Sequence, residues 1–280
     1  MRKAIVLLLI LLVVSCSSEK ESYKIMTYNI RYDNPNDGEN QWSKRNNFLS
    51  DQIAYNNPDI FGIQEGLHHQ VRYLDSVFSN YNYIGVARDD ARTKGEYSAV
   101  FYNKEKFNIL NEGTFWLSET PDKISVGWDA AMERICTYGL FKDKVTKQQF
   151  FVFNTHFDHI GKMARVKSAA LILKRITALN TNNLPVIVMG DFNLKPDAEP
   201  IQLLSKALND TKKVSVLKPF GPTGTFNGFI FSKPVSERID YIFTSKNNIS
   251  VKKYAVLSDS KDCRYPSDHL PVIVHIAFIN

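Results

Sequence analysis

Short apolar runs, rich in β-branched and aromatic residues and bounded by turn residues, recur along most of the chain. This pattern is typical of β-strands that are buried on at least one face. It predicts about eleven strands, at residues 23–32, 59–64, 81–87, 98–103, 107–116, 134–142, 150–156, 185–191, 238–244, 249–257 and 270–278.

Helical periodicity is clearest between residues 162 and 179, where Val166, Ala169, Leu173 and Ile176 recur at a spacing of three, four and three residues. Weaker helical patterns cover 44–55, 68–78 and 199–207. Many strands with few helices favour two mainly antiparallel sheets packed face to face with helices outside, an α/β sandwich.

The first residues have the pattern of an export signal. Arg2 and Lys3 precede an apolar run from Ala4 to Val14, which is too short to span a bilayer. The small residue Ser15 and then Cys16 follow, as in a bacterial lipobox. We therefore expect a lipoprotein signal peptide at 1–15, a lipidated Cys16, a tether at 16–22 and one domain at 23–280. The alternatives are an ordinary secretory peptide or a short buried helix.

Charge and cysteine content exclude only a few classes of protein. Without residues 1–15 the formal net charge falls from +6 to +4, and no block of five like charges indicates a nucleic-acid arm. Two cysteines besides Cys16 are too few for a disulfide framework. No low-complexity linker divides the rest of the chain, so a single, monomeric domain is expected.

Polar residues with catalytic potential follow several of the predicted strands. Asp191 and Asn193 come directly after the apolar run Val186–Met189 and Gly190, and their spacing of two places them on the same side of an extended chain. A carboxylate there can hold or deprotonate a water molecule, and an amide can donate to a phosphoryl oxygen. Taken alone, this stretch has about even odds of being an ordinary strand-to-turn transition.

The same arrangement recurs elsewhere in the chain. Asn29, Glu65 and His156 each end or follow an apolar run, and an acid–histidine pair, Asp268-His269, precedes the last one. Asp240 lies between Ile239 and Tyr241, where a carboxylate needs a partner because an unpaired buried charge is costly. Each residue has a structural alternative, such as a turn amide, a core histidine or a structural ion pair. Their joint occurrence argues for an active site.

Six short motifs together resemble the endonuclease/exonuclease/phosphatase superfamily over positions 23–280: Thr27-Tyr28-Asn29, Gln64-Glu65, Asn154-Thr155-His156, Gly190-Asp191-Phe192-Asn193, Arg238-Ile239-Asp240-Tyr241 and Ser267-Asp268-His269. The resemblance implies a four-layered α/β sandwich and a hydrolase that cleaves phosphate esters with Mg²⁺ or Mn²⁺.

The resemblance also implies roles for individual residues. Glu65 is the principal metal ligand, with Asn29 and Asp268 as further oxygen ligands suited to a hard cation. Asp191 orients or deprotonates the attacking water, and Asn193 steadies the phosphoryl group. The remaining roles are a phosphate contact from His269 oriented by Asp240, a second phosphate or leaving-group contact from His156, and a phosphate contact from Arg134.

The substrate stays open between nucleic acid, phospholipid head groups and sugar or inositol phosphates. Arg31 stands where apurinic-site endonucleases have an acid, which argues against that chemistry. The segment Pro219 to Pro234 is either an exposed apolar hairpin or a loop that covers the core. A non-catalytic surface lipoprotein that uses the scaffold for binding is the alternative function, and export to a bacterial membrane is expected for either.

Overall fold

A computed structural model describes residues 22–279 of the chain. Their strands form two sheets of six strands each. The first sheet contains β1 (Tyr23–Asn29), β2 (Ile60–Gln64), β3 (Tyr81–Ile84), β4 (Val100–Asn103), β11 (Ile249–Val256) and β12 (Val272–Phe278), in the order β11-β12-β1-β2-β4-β3. The second contains β5 (Phe107–Trp116), β6 (Ile135–Asp143), β7 (Gln149–His156), β8 (Val186–Asp191), β9 (Asn209–Asp210) and β10 (Asp240–Thr244), in the order β5-β6-β7-β8-β10-β9.

Each sheet has a single parallel pair at its centre, and its other pairings are antiparallel. β1 runs parallel to β2 in the first sheet, and β7 runs parallel to β8 in the second. The central strands β2 and β8 are buried along their whole length, as expected for strands covered on both faces. Polar residues identified in the sequence stand at the carboxyl ends of these four central strands, β1, β2, β7 and β8.

The helices cover the outer faces of the two sheets. They are a 3-10 helix (Pro35–Asn40), α1 (Trp42–Asn56), α2 (His68–Val77), α3 (Lys162–Leu179), α4 (Glu199–Ala207) and α5 (Thr211–Val214). Side chains such as Ile25 and Met189 fill the space between the sheets. Leu49 of α1 packs in a separate cluster on the first sheet, and Ile172 of α3 in another on the second. The predicted four-layered α/β sandwich is confirmed.

Most predicted elements have the expected position, and the exceptions are short. The helices Lys162–Leu179 and Glu199–Ala207 have the predicted bounds. The two-residue strand Asn209–Asp210 and the four-residue helix Thr211–Val214 were not predicted, because neither is long enough to show a period. The expected signal peptide and Cys16 lie outside the described residues. Between residues 22 and 279, no helix combines the length and apolarity needed to cross a bilayer.

The apolar segment 219–234 is a loop without a regular hairpin. Its ends differ in environment: Phe220 is 75% exposed, whereas Val235 just beyond the segment is buried. Phe226 in the middle forms isolated bridges to His269 and Glu237 and packs its ring at 5.1 Å from the His269 ring. One part of the segment therefore covers the catalytic histidine candidate, and another part faces outward.

Candidate active site

Asn29 lies at the centre of the polar cluster formed by the strand ends. Its amide nitrogen donates to Glu65 Oε1 over 2.9 Å and to Asp191 Oδ2 over 3.0 Å, and its amide oxygen accepts from the backbone N–H of Arg31. Register explains the proximity, because Asn29 pairs with Gln64 at the end of β1 and β2. The second sheet supplies Asp191 from directly opposite. The buried Asn29 amide therefore links the two sheets.

Asp191 is almost fully enclosed, with a relative exposure of 1%. Its Oδ2 atom lies 3.4 Å from His156 Nε2 and 3.7 Å from His269 Nε2, and its Oδ1 accepts from the backbone N–H of Asn193 over 2.8 Å. Burial, followed by the neighbouring charge of Asp240, raises its pKa to about 7. A carboxyl group whose pKa lies near neutrality is suited to proton transfer.

Asp240 and His269 form a buried pair on the far side of Asp191. Asp240 Oδ2 lies 2.9 Å from Nδ1 of His269, and Asp240 stands opposite Asp191 in the β8–β10 register. Burial alone would lower the pKa of His269, but the carboxylates of Asp240 and Asp191 raise it well above its usual value. His269 is therefore held as an imidazolium whose Nε2 edge faces the cluster.

His156 occupies the equivalent place on the other side of Asp191. Its Nε2 atom is 3.0 Å from the amide nitrogen of Asn193, which also donates to the carbonyl of Phe157. Burial and the positive charge of Arg134 lower the pKa of His156 well below its usual value, so its imidazole is neutral. Glu96 Oε2 lies 3.8 Å from His156 Nδ1. The two histidines thus differ in charge although they flank the same carboxylate.

Arg134 is buried, with 5% relative exposure, and it lines the same cleft. Its Nε lies 3.5 Å from Asp158 Oδ1 and its Nη2 lies 3.1 Å from His159 Nδ1. Among residues 22–279 its buried Nη1 atom has no hydrogen-bond partner, although Glu96 Oε2 is 3.9 Å away. A buried guanidinium nitrogen without a partner is costly, which indicates that an anionic ligand in the cleft completes its hydrogen bonding.

Asp268 lies at the edge of the cluster rather than at its centre. Arg31 Nε approaches its Oδ2 to 3.8 Å, while the same guanidinium makes two 3.0 Å hydrogen bonds to Asp37. Burial raises the pKa of Asp268. Arg31 also lies 3.9 Å from Glu65, so it offsets part of the negative charge of the site. Arg165, a nearby arginine of α3, donates to backbone carbonyls, including that of Asn193, and does not line the cleft.

Three residues of the site region have left-handed backbone conformations that side-chain-bearing residues seldom adopt. The φ angles are 54° at Arg31, 63° at Glu65 and 52° at Asn193. In addition, Gly190 has φ 147°, and a Cβ there would lie 2.0 Å from the Thr155 carbonyl oxygen. Such conformations cluster where a side chain must be aimed away from the strand direction. Here they turn Glu65 and Asn193 toward Asp191.

These residues border an open cleft of about 730 Å³. That volume is within the usual range for small-molecule sites. The cleft is lined by Arg31, Tyr32, Glu65, Arg88, Glu96, Met132, Arg134, His156, His159, Asp191, Asn193, Lys195, Phe226, Glu237, Ile239, Asp268 and His269. Glu96, Arg88 and Phe226 are among the members that the sequence analysis did not single out, because they lie on loops outside any strand-end motif.

A divalent cation fits the acidic end of the cleft. One oxygen each of Glu65 and Asp191 and one ring nitrogen of His269 lie within 4.8 Å of one another. Because the His269 imidazolium has no free lone pair, the carboxylates are the groups that would hold the cation. Glu65, Asp191 and Asp268 bring several carboxylates together, and burial raises the pKa of two of them, Asp191 and Asp268. A cation would remove this penalty, since opposite charge favours the ionised form. Carboxylate and amide oxygens are the donors that Mg²⁺ and Mn²⁺ prefer.

A four-layered sandwich with a polar site at the strand ends is the architecture of one class of phosphoesterases. A family model for the Endonuclease/Exonuclease/phosphatase family matches residues 26–269. The chain belongs to this family. Its members are phosphoester hydrolases, and the sequence-based assignment to the superfamily is confirmed.

Solved structures of bacterial relatives are similar over nearly the whole chain. An endonuclease/exonuclease/phosphatase family protein from Bacteroides thetaiotaomicron is 40% identical with a TM-score of 0.89, covering 94% of this chain and 100% of that one. A mannosyl-6-phosphatase from the same organism is 41% identical with a TM-score of 0.88, covering 91% and 100%. Among more distant relatives, nocturnin from Rattus norvegicus is 23% identical and covers 94% of this chain and 67% of its own.

Proposed function

We propose that this protein is a Mg²⁺- or Mn²⁺-dependent phosphomonoesterase that hydrolyses sugar phosphates. The convergence of Glu65, Asp191 and His269 within 4.8 Å, on the wall of an open cleft, carries the proposal. The 41% identity to a mannosyl-6-phosphatase supports the choice of substrate class. A cleft of about 730 Å³ can accommodate a hexose phosphate.

The charge of the cleft favours a small dianionic monoester over a polyanion. Two of its cations are already paired with acids, Arg88 with Glu96 over 2.8 Å and Lys195 with Glu237 over 2.8 Å. A nucleic-acid surface needs a row of free cations that contact successive phosphates. Arg134 and the His269 imidazolium are enough to bind one terminal phosphate.

In the proposed hydrolysis, each step uses a particular side chain of the cleft. Arg134 Nη1 and His269 Nε2 would bind phosphoryl oxygens, with Asp240 fixing the His269 ring. Asp191 would accept the proton of the attacking water, since a bound cation keeps its carboxylate ionised and the Asn193 backbone N–H holds it in place. The Asn193 amide would steady the phosphoryl group, and neutral His156 would stabilise the leaving oxygen.

Glu65 would hold the cation, with the Asp268 carboxylate as a neighbouring oxygen donor. The Asn29 amide, whose nitrogen now faces Glu65 and Asp191, would offer its oxygen after a rotation that exchanges the two amide atoms. When bound, the cation offsets the negative charge that develops on the phosphoryl oxygens. Preorganised donors such as Asn193 and Arg134 supply the remaining electrostatic stabilisation, since they are held by hydrogen bonds before substrate arrives.

A substrate panel tests the proposal. Purified protein is assayed with Mg²⁺ or with EDTA on mannose 6-phosphate, inositol phosphates, bis-p-nitrophenyl phosphate, sphingomyelin, DNA and RNA. We expect phosphate release from the sugar phosphate that EDTA and Asp191→Ala abolish, and that Asp259→Asn, an exposed acid away from the cleft, leaves intact. Cleavage of diesters alone would contradict the proposed substrate class. No turnover of any ester would favour a binding lipoprotein.

A nuclease activity is the second candidate, supported by the similarity to a 3'-5'-exoribonuclease subunit from Mycosarcoma maydis that is 20% identical over 91% of this chain. Location is also part of the proposal. The N-terminal pattern around Cys16 supports an exported lipoprotein attached to a bacterial membrane. Mass spectrometry of the mature N-terminus tests it: a diacylated Cys16 is expected, and an unmodified N-terminus at any other residue would contradict it.

A further inference from the structure

A row of exposed apolar side chains lies along the outer edge of β11, away from the active-site cleft. Val216 is 69% exposed, Leu217 53% and Phe220 75%. Burying such groups is favourable, so contiguous exposure of this kind marks a contact surface. None of the three lines the cleft, and the proposed chemistry does not use them.

Backbone hydrogen bonds fix this row in place. The N–H groups of Val216, Leu217 and Phe220 donate to the carbonyls of Val251, Lys252 and Tyr254 on β11. Phe220 also forms a parallel bridge to Ala255. The segment therefore runs beside β11 as an added edge, and its apolar side chains are held outward. A loop that merely covered the core would bury them.

The two segments that form this edge, residues 211–236 and β11, carry lysines and no acidic residue. Between Thr211 and Ser236 the chain has four lysines and no acidic residue. Lys213 and Lys218 of this segment are exposed, as are Lys252 and Lys253 of the adjoining strand. Apolar side chains interleaved with lysine are the composition of surfaces that contact anionic lipid, where each lysine near the surface adds to the affinity.

Tyr23, at the start of the fold, lies at the same height along the first sheet as Val216. Tyr23 of β1 pairs with Ile276, which pairs with Val251, and Val251 accepts from Val216. Three strand spacings separate Tyr23 from Val216, roughly 15 Å. A lipid anchor at Cys16, as proposed above, would therefore enter the fold on the side that carries this edge.

We propose that the edge formed by Val216, Leu217 and Phe220, with Lys213, Lys218, Lys252 and Lys253, is a docking surface for an anionic lipid bilayer. The apolar side chains enter the interfacial region, and the lysines contact the lipid phosphates. A second copy of this chain would have to present a complementary acidic surface to the same edge, so the positive charge of the two segments favours lipid over self-association.

The test is flotation with vesicles of phosphatidylcholine, with and without phosphatidylglycerol. The protein begins at Ser17, so no acyl chain contributes. The structures of two bacterial relatives align over their whole length with 91–94% of this chain, so a protein that begins at Ser17 keeps nearly all of the matched domain. Wild type should float with the anionic vesicles and less with the neutral ones, and added salt should weaken the binding.

Two variants separate the apolar and the charged contributions. Val216→Ser/Leu217→Ser/Phe220→Ser should weaken binding on the order of 100-fold. Lys252→Gln/Lys253→Gln should weaken it about fivefold per lysine, and only on anionic vesicles. Tyr55→Ser/Val145→Ser, which removes two other highly exposed apolar side chains, is the matched control and should bind as wild type.

Turnover of a soluble phosphate ester should be unchanged in every variant, because none of these residues lines the cleft; this separates failure of docking from failure of the proposed function. Equal flotation of wild type and the apolar variant would overturn the proposal. So would sedimentation showing a dimer that the apolar variant dissociates, in the absence of vesicle binding.

Discussion

The carboxylate of Asp240 and the imidazole of His269 are held 2.9 Å apart in a buried pair, with the other imidazole edge turned toward Asp191. Asp240 comes from β10 and His269 from the loop before β12, so the pair joins the two sheets. The remaining Asp240 oxygen has no hydrogen-bond partner in the part of the chain that the structure describes. The pairing with His269 is therefore what offsets the cost of burying this carboxylate.

Asp240→Asn should reduce kcat about 100-fold or more, because an amide neither fixes the ring tautomer nor favours the imidazolium. The pKa of His269 should fall, so the activity profile should lose its alkaline side at a lower pH than in wild type. Steady-state kinetics across pH measure both effects. Asp259→Asn is the control, and an unchanged profile in Asp240→Asn would rule out the orienting role.

Asp191 should make the cation-free protein less stable as pH rises. Its pKa is about 7 in the folded state and 3.8 in the reference state, so between these values the folded protein holds a proton that the unfolded chain has lost. Stability therefore falls from about pH 4 to pH 7, by on the order of 4 kcal/mol for a fully buried group. Asp191→Asn should remove most of this dependence and also abolish activity.

Urea denaturation in EDTA at pH 5 and pH 8 measures this effect. Wild type should lose more stability between the two values than Asp191→Asn does. Added Mg²⁺ should stabilise the wild type at pH 8 more than the variant, which keeps Glu65 but lacks the neighbouring negative charge of Asp191. Identical pH dependence in the two proteins would contradict the assignment of Asp191 as the group that titrates.

The elements with a clear period were predictable from the sequence, and so were the side chains that follow them. The 3,4,3 spacing from Val166 to Ile176 located α3, and the apolar run before Asp191 located β8. Strand ends bring Asn29 and Asp191 together because the central strands of both sheets end at the same edge. The roles implied for these residues stay predictions.

Other features depend on tertiary placement that no local pattern encodes. Glu96 comes from a loop before β4, and its closeness to Arg134 and His156 follows from the packing of the two sheets. The exposed edge formed by Val216, Leu217 and Phe220 could not be predicted either. The sequence alone does not distinguish an apolar residue that faces the core from one that faces the solvent. Backbone pairing with β11 decides which of the two occurs.

Arg134→Lys should raise KM for a phosphomonoester about 10-fold with a smaller change in kcat, since lysine cannot present the unpaired Nη1 atom from the same position. Inorganic phosphate should inhibit the variant correspondingly more weakly. Arg72→Lys, an exposed arginine paired with Asp75 on α2, is the control. Unaltered inhibition by phosphate in Arg134→Lys would show that Arg134 does not contact the phosphoryl group.

Arg45 links the two loops that carry the site residues Arg31 and Asp268. Its guanidinium donates to the carbonyls of Ile30, Arg31, Asn40 and Pro266 over 2.6–3.1 Å, and the residue is 5% exposed. Burial lowers its pKa. Removing it leaves several buried carbonyls without a donor, so Arg45→Met should cost about 3–5 kcal/mol of stability.

At a temperature where Arg45→Met is still folded, kcat/KM should fall about 10-fold, because both loops lose the tie that positions them. Arg45→Lys should recover part of the stability but less of the activity, since an ammonium cannot reach the same set of carbonyls. Lys44→Met, at the neighbouring exposed position, is the matched control for losing a cation on α1. If the folded Arg45→Met protein retains wild-type kcat/KM, Arg45 stabilises the fold without positioning the site.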